Sequence, residues 1–249
     1  MDFIFWSLLF SGSCGKVYGI LCTLFLWQKS VVAHAVACRR VVLRVISGRA
    51  RGAVLKGPQG CEIRPTAGRV KEDIFNILSS LGYSCAKRRQ LLSESVALEP
   101  LGKTWLELYC GTGQVGIEAL SRGSSRVVFV DISPASAELV LKNLKKCRFP
   151  EESYAIHCAD AVVALQGFSG KGVRFDTVFL DPPYCEDASP VLRLLVSLGV
   201  LREGAIVVLE QGSSPTDLVL PELLEVVRVK EYSAAQVLFF VYNPALAGV

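Results

Sequence analysis

Apolar and polar positions follow two different periods along this chain, and the switches between them mark out its elements. From Lys103 to Tyr109 (KTWLELY) a nearly continuous apolar run of strand length gives way to QVGIEALSRG, where apolar positions return at helical spacing. The same switch recurs in RVVFVD and PASAELVLKNLKKC, in SYAIHCAD and AVVALQGF, and in RFDTVFLDPP and ASPVLRLLVSLG, with GAIVVLE as a fifth strand. LLEVVRVKEY and AAQVLFFVYN are β-rich runs a few residues apart and predict an antiparallel hairpin at the end of the sheet. Repeated strand-helix units demand crossovers. The pattern therefore predicts an α/β fold with a mostly parallel seven-stranded sheet, and a ligand crevice at the carboxyl ends of its strands.

Ahead of this core, VVLRVIS is strand-like and AVL forms a second short run between the turn segments SGRARG and LKGPQG. RPTAGRVKEDIFNILSSLG then takes a helical period, with Val70, Ile74, Ile77 and Leu78 on one face and Pro65 and Thr66 as a rigid lead-in. Four regions are expected: a hydrophobic extension (1–40), a basic β-rich and helical module (41–82), a surface link (83–100) and the main α/β domain (101–249). Neither apolar run of the extension, Phe3 to Phe10 or Val17 to Trp27, reaches the ~18 to 20 residues that span a bilayer. Its readings are a membrane-associating segment, an added packing element, or sequence upstream of a later start at a non-AUG codon, since Met1 is the sole methionine.

With 51% hydrophobic and 20% charged residues, the composition excludes a wholly disordered or collagen-like chain. Charge is uneven: positions 44 to 71 carry seven basic side chains against one acidic, whereas the remainder beyond them is net acidic. A polyanion should meet this basic segment first. The nine cysteines include no C-x-x-C pair and there are two histidines, so no metal site and no disulfide framework is expected. The cysteines read as small buried hydrophobes in a reducing, cytoplasmic compartment.

ELYCGTGQVG (107–116) falls between a strand and a helix, where Gly111 and Gly113 allow a tight turn and close approach of a cofactor. The G-x-G-x-x-G spacing from Gly111 to Gly116 also suits a dinucleotide site or a plain structural turn. Glu107, four residues before the first glycine, disfavours a pyrophosphate and suits an ammonium or sulfonium group. Asp131 ends the second strand, where two acceptor oxygens fit the hydroxyls of a ribose. Asp160 ends the third, placed either to accept from an adenine amino group or to cap the next helix. The expected ligand is an adenosine with a cationic, phosphate-free tail.

Asp181-Pro182-Pro183-Tyr184 follows the apolar VFL run. Two prolines remove two backbone donors and stiffen the strand exit, leaving carbonyl acceptors outward. With the Asp181 carboxylate and the flat face of Tyr184, this turn suits a planar group bearing an exocyclic amine. Accepting the amine's hydrogens favours positive charge developing on nitrogen, and so lowers the barrier to its attack on an incoming carbon.

GCEIRPTAGRVKEDIFNIL, LELYCGTGQVGIEALSRG, VVFVDISPASAELVLKNL and FDTVFLDPPY resemble successive motifs of the RsmD-type methyltransferases of bacterial 16S rRNA, over about Val42 to Tyr242. The resemblance implies a Rossmann-like class I fold, S-adenosyl-L-methionine as cofactor, and methylation of a guanine 2-amino group in 16S rRNA, within a small-subunit assembly particle. It implies a monomer without metal. By the same resemblance Glu107, Tyr109, Gly111, Thr112 and Gly113 surround the methionine part of the cofactor, Asp131 and Ile132 its ribose, and Asp160 and Ala161 its adenine. Asp181, Pro182, Pro183 and Tyr184 hold the target base, while Arg49, Arg51, Arg64, Arg69 and Lys71 contact RNA. The chain departs from the family pattern at Gly68, where an acidic residue is usual, and at Cys110, in place of a small alanine. From the residues alone, an amino methyltransferase of adenine or of protein glutamine and a noncatalytic RNA-binding factor stay open, and the arginines also suit a solvated basic face.

Overall fold

The strands alternate their side chains between two helical layers, and that alternation builds two cores. The structure is a computed structural model that describes residues 42–57, 68–92 (side chains to Leu81), 104–183, 186–212 and 218–248. Its contacts divide the chain into Met1–Val41 and Val42–Val249, and all described residues belong to the second unit. The extension 1–40, Arg64, Pro65, Thr66 and Tyr184 lie outside the described residues.

Seven strands form one sheet: β1 (Thr104–Leu108), β2 (Arg126–Asp131), β3 (Tyr154–Cys158), β4 (Phe175–Leu180), β5 (Leu201–Gly212), β6 (Leu224–Glu231) and β7 (Ala235–Tyr242). Their order is β3-β2-β1-β4-β5-β7-β6. The first five are parallel, and β7 runs antiparallel to both β5 and β6, as the terminal hairpin pattern predicts. The helices are α1 (Gly68–Leu92), α2 (Gln114–Ser121), α3 (Pro134–Lys146), α4 (Ala161–Gly170) and α5 (Ser189–Ser197). Trp105, Phe129, Phe179, Val208 and Phe239 face α1, α2 and α3, whereas Leu106, Leu108, Val130, Leu180 and Leu209 face α4 and α5. Order reverses at β1, between β2 and β4, and a crevice opens at such a switch point.

Three sequence expectations change. VVLRVIS and AVL make a single antiparallel bridge, Arg44 to Val54, rather than strands. Turns at Gly48 and Gly52, both at positive φ, close the pair early, and the N–H groups of Ile46 and Ser47 go to the Glu118 carboxylate instead of a ladder. On α1, Val70, Ile74 and Leu78 are buried as expected, and Phe75, stacked on Trp105 at 5.6 Å between centroids, joins them. The expected link at 83–100 begins as helix, since α1 continues to Leu92. Cys158 is exposed, unlike the buried Cys110.

Candidate active site

The ends of four parallel strands stand level at one edge of the sheet. Leu108 on β1 is opposite Val130 on β2 and Leu180 on β4, and Asp131 is opposite Cys158 on β3. Tyr109, Asp131 and Asp181 come next along their strands, and Asp160 stands two residues beyond Cys158, so all four lie at the strand ends where the switch-point crevice is expected. Adjacent strands are about 4.8 Å apart, so the whole row fits within the length of a nucleoside with a short tail.

The β1–α2 loop turns sharply. Tyr109 (φ 58), Gly111 (φ 49) and Gly113 (φ 69) all take left-handed conformations. For a tyrosine that strain costs about 1–3 kcal/mol, and residues held so collect at functional sites. Its hydroxyl donates to Glu186 Oε1 at 2.8 Å, and Glu186 N donates to the Pro183 carbonyl at 2.8 Å. The loop after β1 and the Asp181–Pro183 turn are thereby tied together across the switch point. Burial and the neighbouring Glu186 push the Tyr109 phenol up, keeping it a donor. Gly116 serves packing: a Cβ there would lie 2.5 Å from Phe129 Cε1 and 2.6 Å from Glu107 Oε2.

Asp131 Oδ2 accepts from Gly111 N at 2.8 Å and Oδ1 from Ser133 N at 2.9 Å. One carboxylate thus fixes the glycine loop against the end of β2, and each oxygen keeps a second lone pair for a ligand hydroxyl. Ile132, 71% exposed, presents an apolar face next to it. Asp160 caps α4, its Oδ1 accepting from Val162 N at 2.8 Å and Val163 N at 3.3 Å, so the helix-cap reading holds while Oδ2 stays outside the cap. Thr112 and Ala161 are buried. The Thr112 carbonyl is held by Asn143 Nδ2 at 3.2 Å.

Glu107 behaves differently from the expectation of a carboxylate open to a cationic ligand. It is 2% exposed beneath α2, accepting from Gly116 N at 2.8 Å and from Val115 N. Burial, with a smaller push from Asp181, raises its pKa to about 8, against the opposing help of those two N–H groups. Its role in the fold is to hold the N-terminus of α2 over the sheet. Lys71 also departs from its expected place at an RNA surface: it is 1% exposed, donating to the Arg44 carbonyl at 2.9 Å and paired with Glu118 at 3.4 Å. Burial lowers its pKa despite that partner.

Arg49, Arg51 and Arg69 are exposed. Arg69 lines a cleft of about 450 Å³ with Lys230 and Tyr232 at the β6–β7 turn. Asp181 follows Leu180, which is level with Leu209, and the next β5 residue, Glu210, is opposite Val237 and thence Lys230, so this cleft shares the edge of the acceptor turn. Lys230, Tyr232 and the buried hub Glu118 escaped the sequence reading. Among the described residues no group of acids, histidines and cysteines is arranged to hold a metal, and no helix is long and apolar enough to cross a membrane.

The glycine turn, the ribose-type carboxylate on β2 and the exposed Ile132 suit an adenosine. Comparison with known proteins points the same way. YlbH of Bacillus subtilis is 33% identical over 181 residues, covering 72% of this chain and 86% of its own. Ribosomal RNA small subunit methyltransferase D of Haemophilus influenzae is 29% identical over 181 residues, covering 72% and 83%. The structure of a hypothetical protein from Thermus thermophilus superposes with a TM-score of 0.62 at 26% identity, covering 80% of this chain and 98% of that one. The fold is the class I Rossmann-like architecture, and its glycine turn and β2 carboxylate suit S-adenosyl-L-methionine as the cofactor. The family described as Conserved hypothetical protein 95 matches residues 43–241, and the chain belongs to it as an S-adenosylmethionine-dependent methyltransferase.

Proposed function

We propose that the protein transfers a methyl group from S-adenosyl-L-methionine to the exocyclic N2 amino group of a guanine in bacterial small-subunit (16S) rRNA. The observation that carries this reading is the tie between the Asp181–Pro183 turn and the strained loop after β1, through Tyr109 and Glu186. A tie between the turn that bears Asp181 and the loop that bears the glycines supports reading Asp181 as the acceptor for a planar amine next to the cofactor. The name of the Haemophilus influenzae relative and the basic charge of positions 44 to 71 favour small-subunit rRNA as the substrate.

The cofactor supplies a sulfonium-activated methyl group. Gly111, Gly113, Asp131 and Asp160 bind and orient it along the strand ends, and Ile132 gives its sugar and base an apolar neighbour. The Asp181 carboxylate and the carbonyls of the proline turn accept the two hydrogens of the guanine amine. That aims the nitrogen lone pair at the methyl and favours the positive charge developing on nitrogen. Tyr184 stacks on the base. The stiff exit of β4 keeps the amine within the roughly 3–3.5 Å needed for in-line attack, so positioning supplies much of the catalysis. The proton leaves to Asp181 or to water. Arg49, Arg51, Arg64 and Arg69 contact the RNA backbone, and the target base is extruded into the crevice.

The test is methyl transfer from labelled cofactor to unmodified small-subunit particles and to naked rRNA, followed by nucleoside identification. N2-methylguanine as the single labelled product is expected. Label in methyladenine or in protein would replace the substrate in this reading, and no transfer to any of them would end it.

A further inference from the structure

We infer that a cleft at the sheet edge opposite the acceptor turn is a phosphate site that anchors the RNA backbone; this rests on the rRNA reading above and deepens it. The cleft, of about 470 Å³, lies where α2 ends and β2 begins, and its walls include Arg49, Ser124, Ser125, Phe149 and Ser153.

Its cation is held in place without being neutralised. The guanidinium of Arg49 lies over the Phe149 ring, 4.6 Å from the centroid, and forms no ion pair among the described residues. The loop that carries it is clamped to the C-terminus of α2: Arg49 N donates to the Ser121 carbonyl at 2.8 Å and Ala50 N to Ser121 Oγ at 2.9 Å. A Cβ on Gly48 would come within 1.7 Å of that same carbonyl oxygen, so glycine is what lets the loop close so tightly. Arg122, by contrast, is committed to Glu118 at 2.8 Å and to the Phe75 ring.

A second observation points to a ligand. Ser124 is 7% exposed, and its Oγ has no hydrogen-bond partner among the described residues. An orphaned buried hydroxyl is costly and calls for an acceptor. Its rotor, the Ser125 hydroxyl and the Arg49 guanidinium together offer donors of the kind a phosphodiester takes on its two free oxygens, while the Ser153 hydroxyl is committed to the Pro150 carbonyl at 2.6 Å. Glu152, the one acid on the wall, is exposed and leaves the cleft suited to a singly charged anion rather than to a cation.

The location makes the anchor informative about the substrate. β2 runs from Arg126, next to Ser125, to Asp131 at the crevice, a climb of roughly 17 Å at the usual strand rise. Exposed Arg44 and Lys56 lie on the segment between: Lys56 N and O are bonded to Asn143, which also holds Thr112 beside the crevice. An RNA that reaches both ends of this track gains contacts that a short oligonucleotide lacks.

Full-length protein, its Arg49→Gln variant and its Ser124→Ala variant distinguish the outcomes. The probes are inorganic phosphate, followed by amide NMR, and in vitro transcribed small-subunit rRNA, followed by binding across a salt series and by methyl transfer. Phosphate should move the amides of Gly123, Ser124 and Ser125. Arg49→Gln should lower the slope of log affinity against log salt by about one. Ser124→Ala should weaken rRNA binding severalfold while its melting temperature holds or rises, a combination that a merely structural serine does not produce. Affinity for S-adenosylmethionine should stay within about twofold in both. If the wild type methylates rRNA and both variants bind it with unchanged affinity and slope, the anchor is overturned and the rRNA reading survives. If phosphate moves those amides while the wild type ignores rRNA, RNA falls as the occupant, and the rRNA reading falls with it.

Discussion

Glu107 carries the clearest residue-scale consequence. Its carboxyl sits well above its ordinary range, at about 8, because it is buried under α2. The folded state therefore holds a proton that the unfolded chain has released between about pH 4.5 and 8, and stability falls with rising pH across that window, flattening above it. Glu107→Gln keeps an acceptor for Gly116 N and removes the titration. The difference between wild type and variant in chemical-denaturation stability should grow from near zero at about pH 5 to roughly 3–5 kcal/mol in the variant's favour at about pH 9. A difference that does not change with pH would show that Glu107 is ionised in the fold. Asp181 makes the complementary case on function. Asp181→Ala should cut methyl transfer at least about 100-fold, a loss of the order seen when an aimed electrostatic partner is removed, while S-adenosylmethionine affinity changes less than about threefold. Turnover within threefold of wild type would refute the amine clamp.

At the scale of elements, the alternation of strands and helices was legible because each parallel strand contains a short apolar run and each helix reverts to the 3.6 period. The row Asp131, Asp160 and Asp181 was legible for the same reason: each acid stands at the end of an apolar run. What escaped depends on packing. KRRQ looked like a link, yet cationic residues suit the C-terminal turns of a helix, and α1 runs through them. Lys71 looked like surface, although it lies four residues before Phe75 and seven before Leu78, on the stripe α1 buries. Nothing local marks Glu118, whose partners are 47 to 72 positions away except for Arg122. It accepts from Ile46 N at 2.7 Å and Ser47 N at 2.9 Å and pairs with Lys71, so one carboxylate joins α2, α1 and the segment before them. Glu118→Ala should cost about 3–5 kcal/mol, because it strands a buried ammonium and two amides together. Urea denaturation gives the size, and hydrogen exchange should rise first at Ile46 and Ser47. The double variant Glu118→Ala, Lys71→Met should recover part of the loss, since the unpaired charge is then gone.

For the whole molecule the question is what the second unit needs from the first. Both faces of the sheet from β1 to β5 carry a core built with the unit's own helices, and the segment from Leu43 to Lys56 is bound to α2 and α3 through Glu118, Ser121 and Asn143. Leu43 and Val45 are themselves buried in that core, and they are the first of the described residues that pack. A chain beginning at Val42 should therefore fold with its core intact. Its melting temperature should lie within about 3 °C of the full chain's, the equivalent of roughly 1 kcal/mol in a domain of this size. Its S-adenosylmethionine affinity should be unchanged, because every proposed cofactor residue lies beyond Trp105. A drop of about 8 °C or more would mean that residues 1–41 contribute packing of the kind assigned here to α1. Equal melting with lost transfer to small-subunit particles would instead place the contribution of residues 1–41 in substrate engagement.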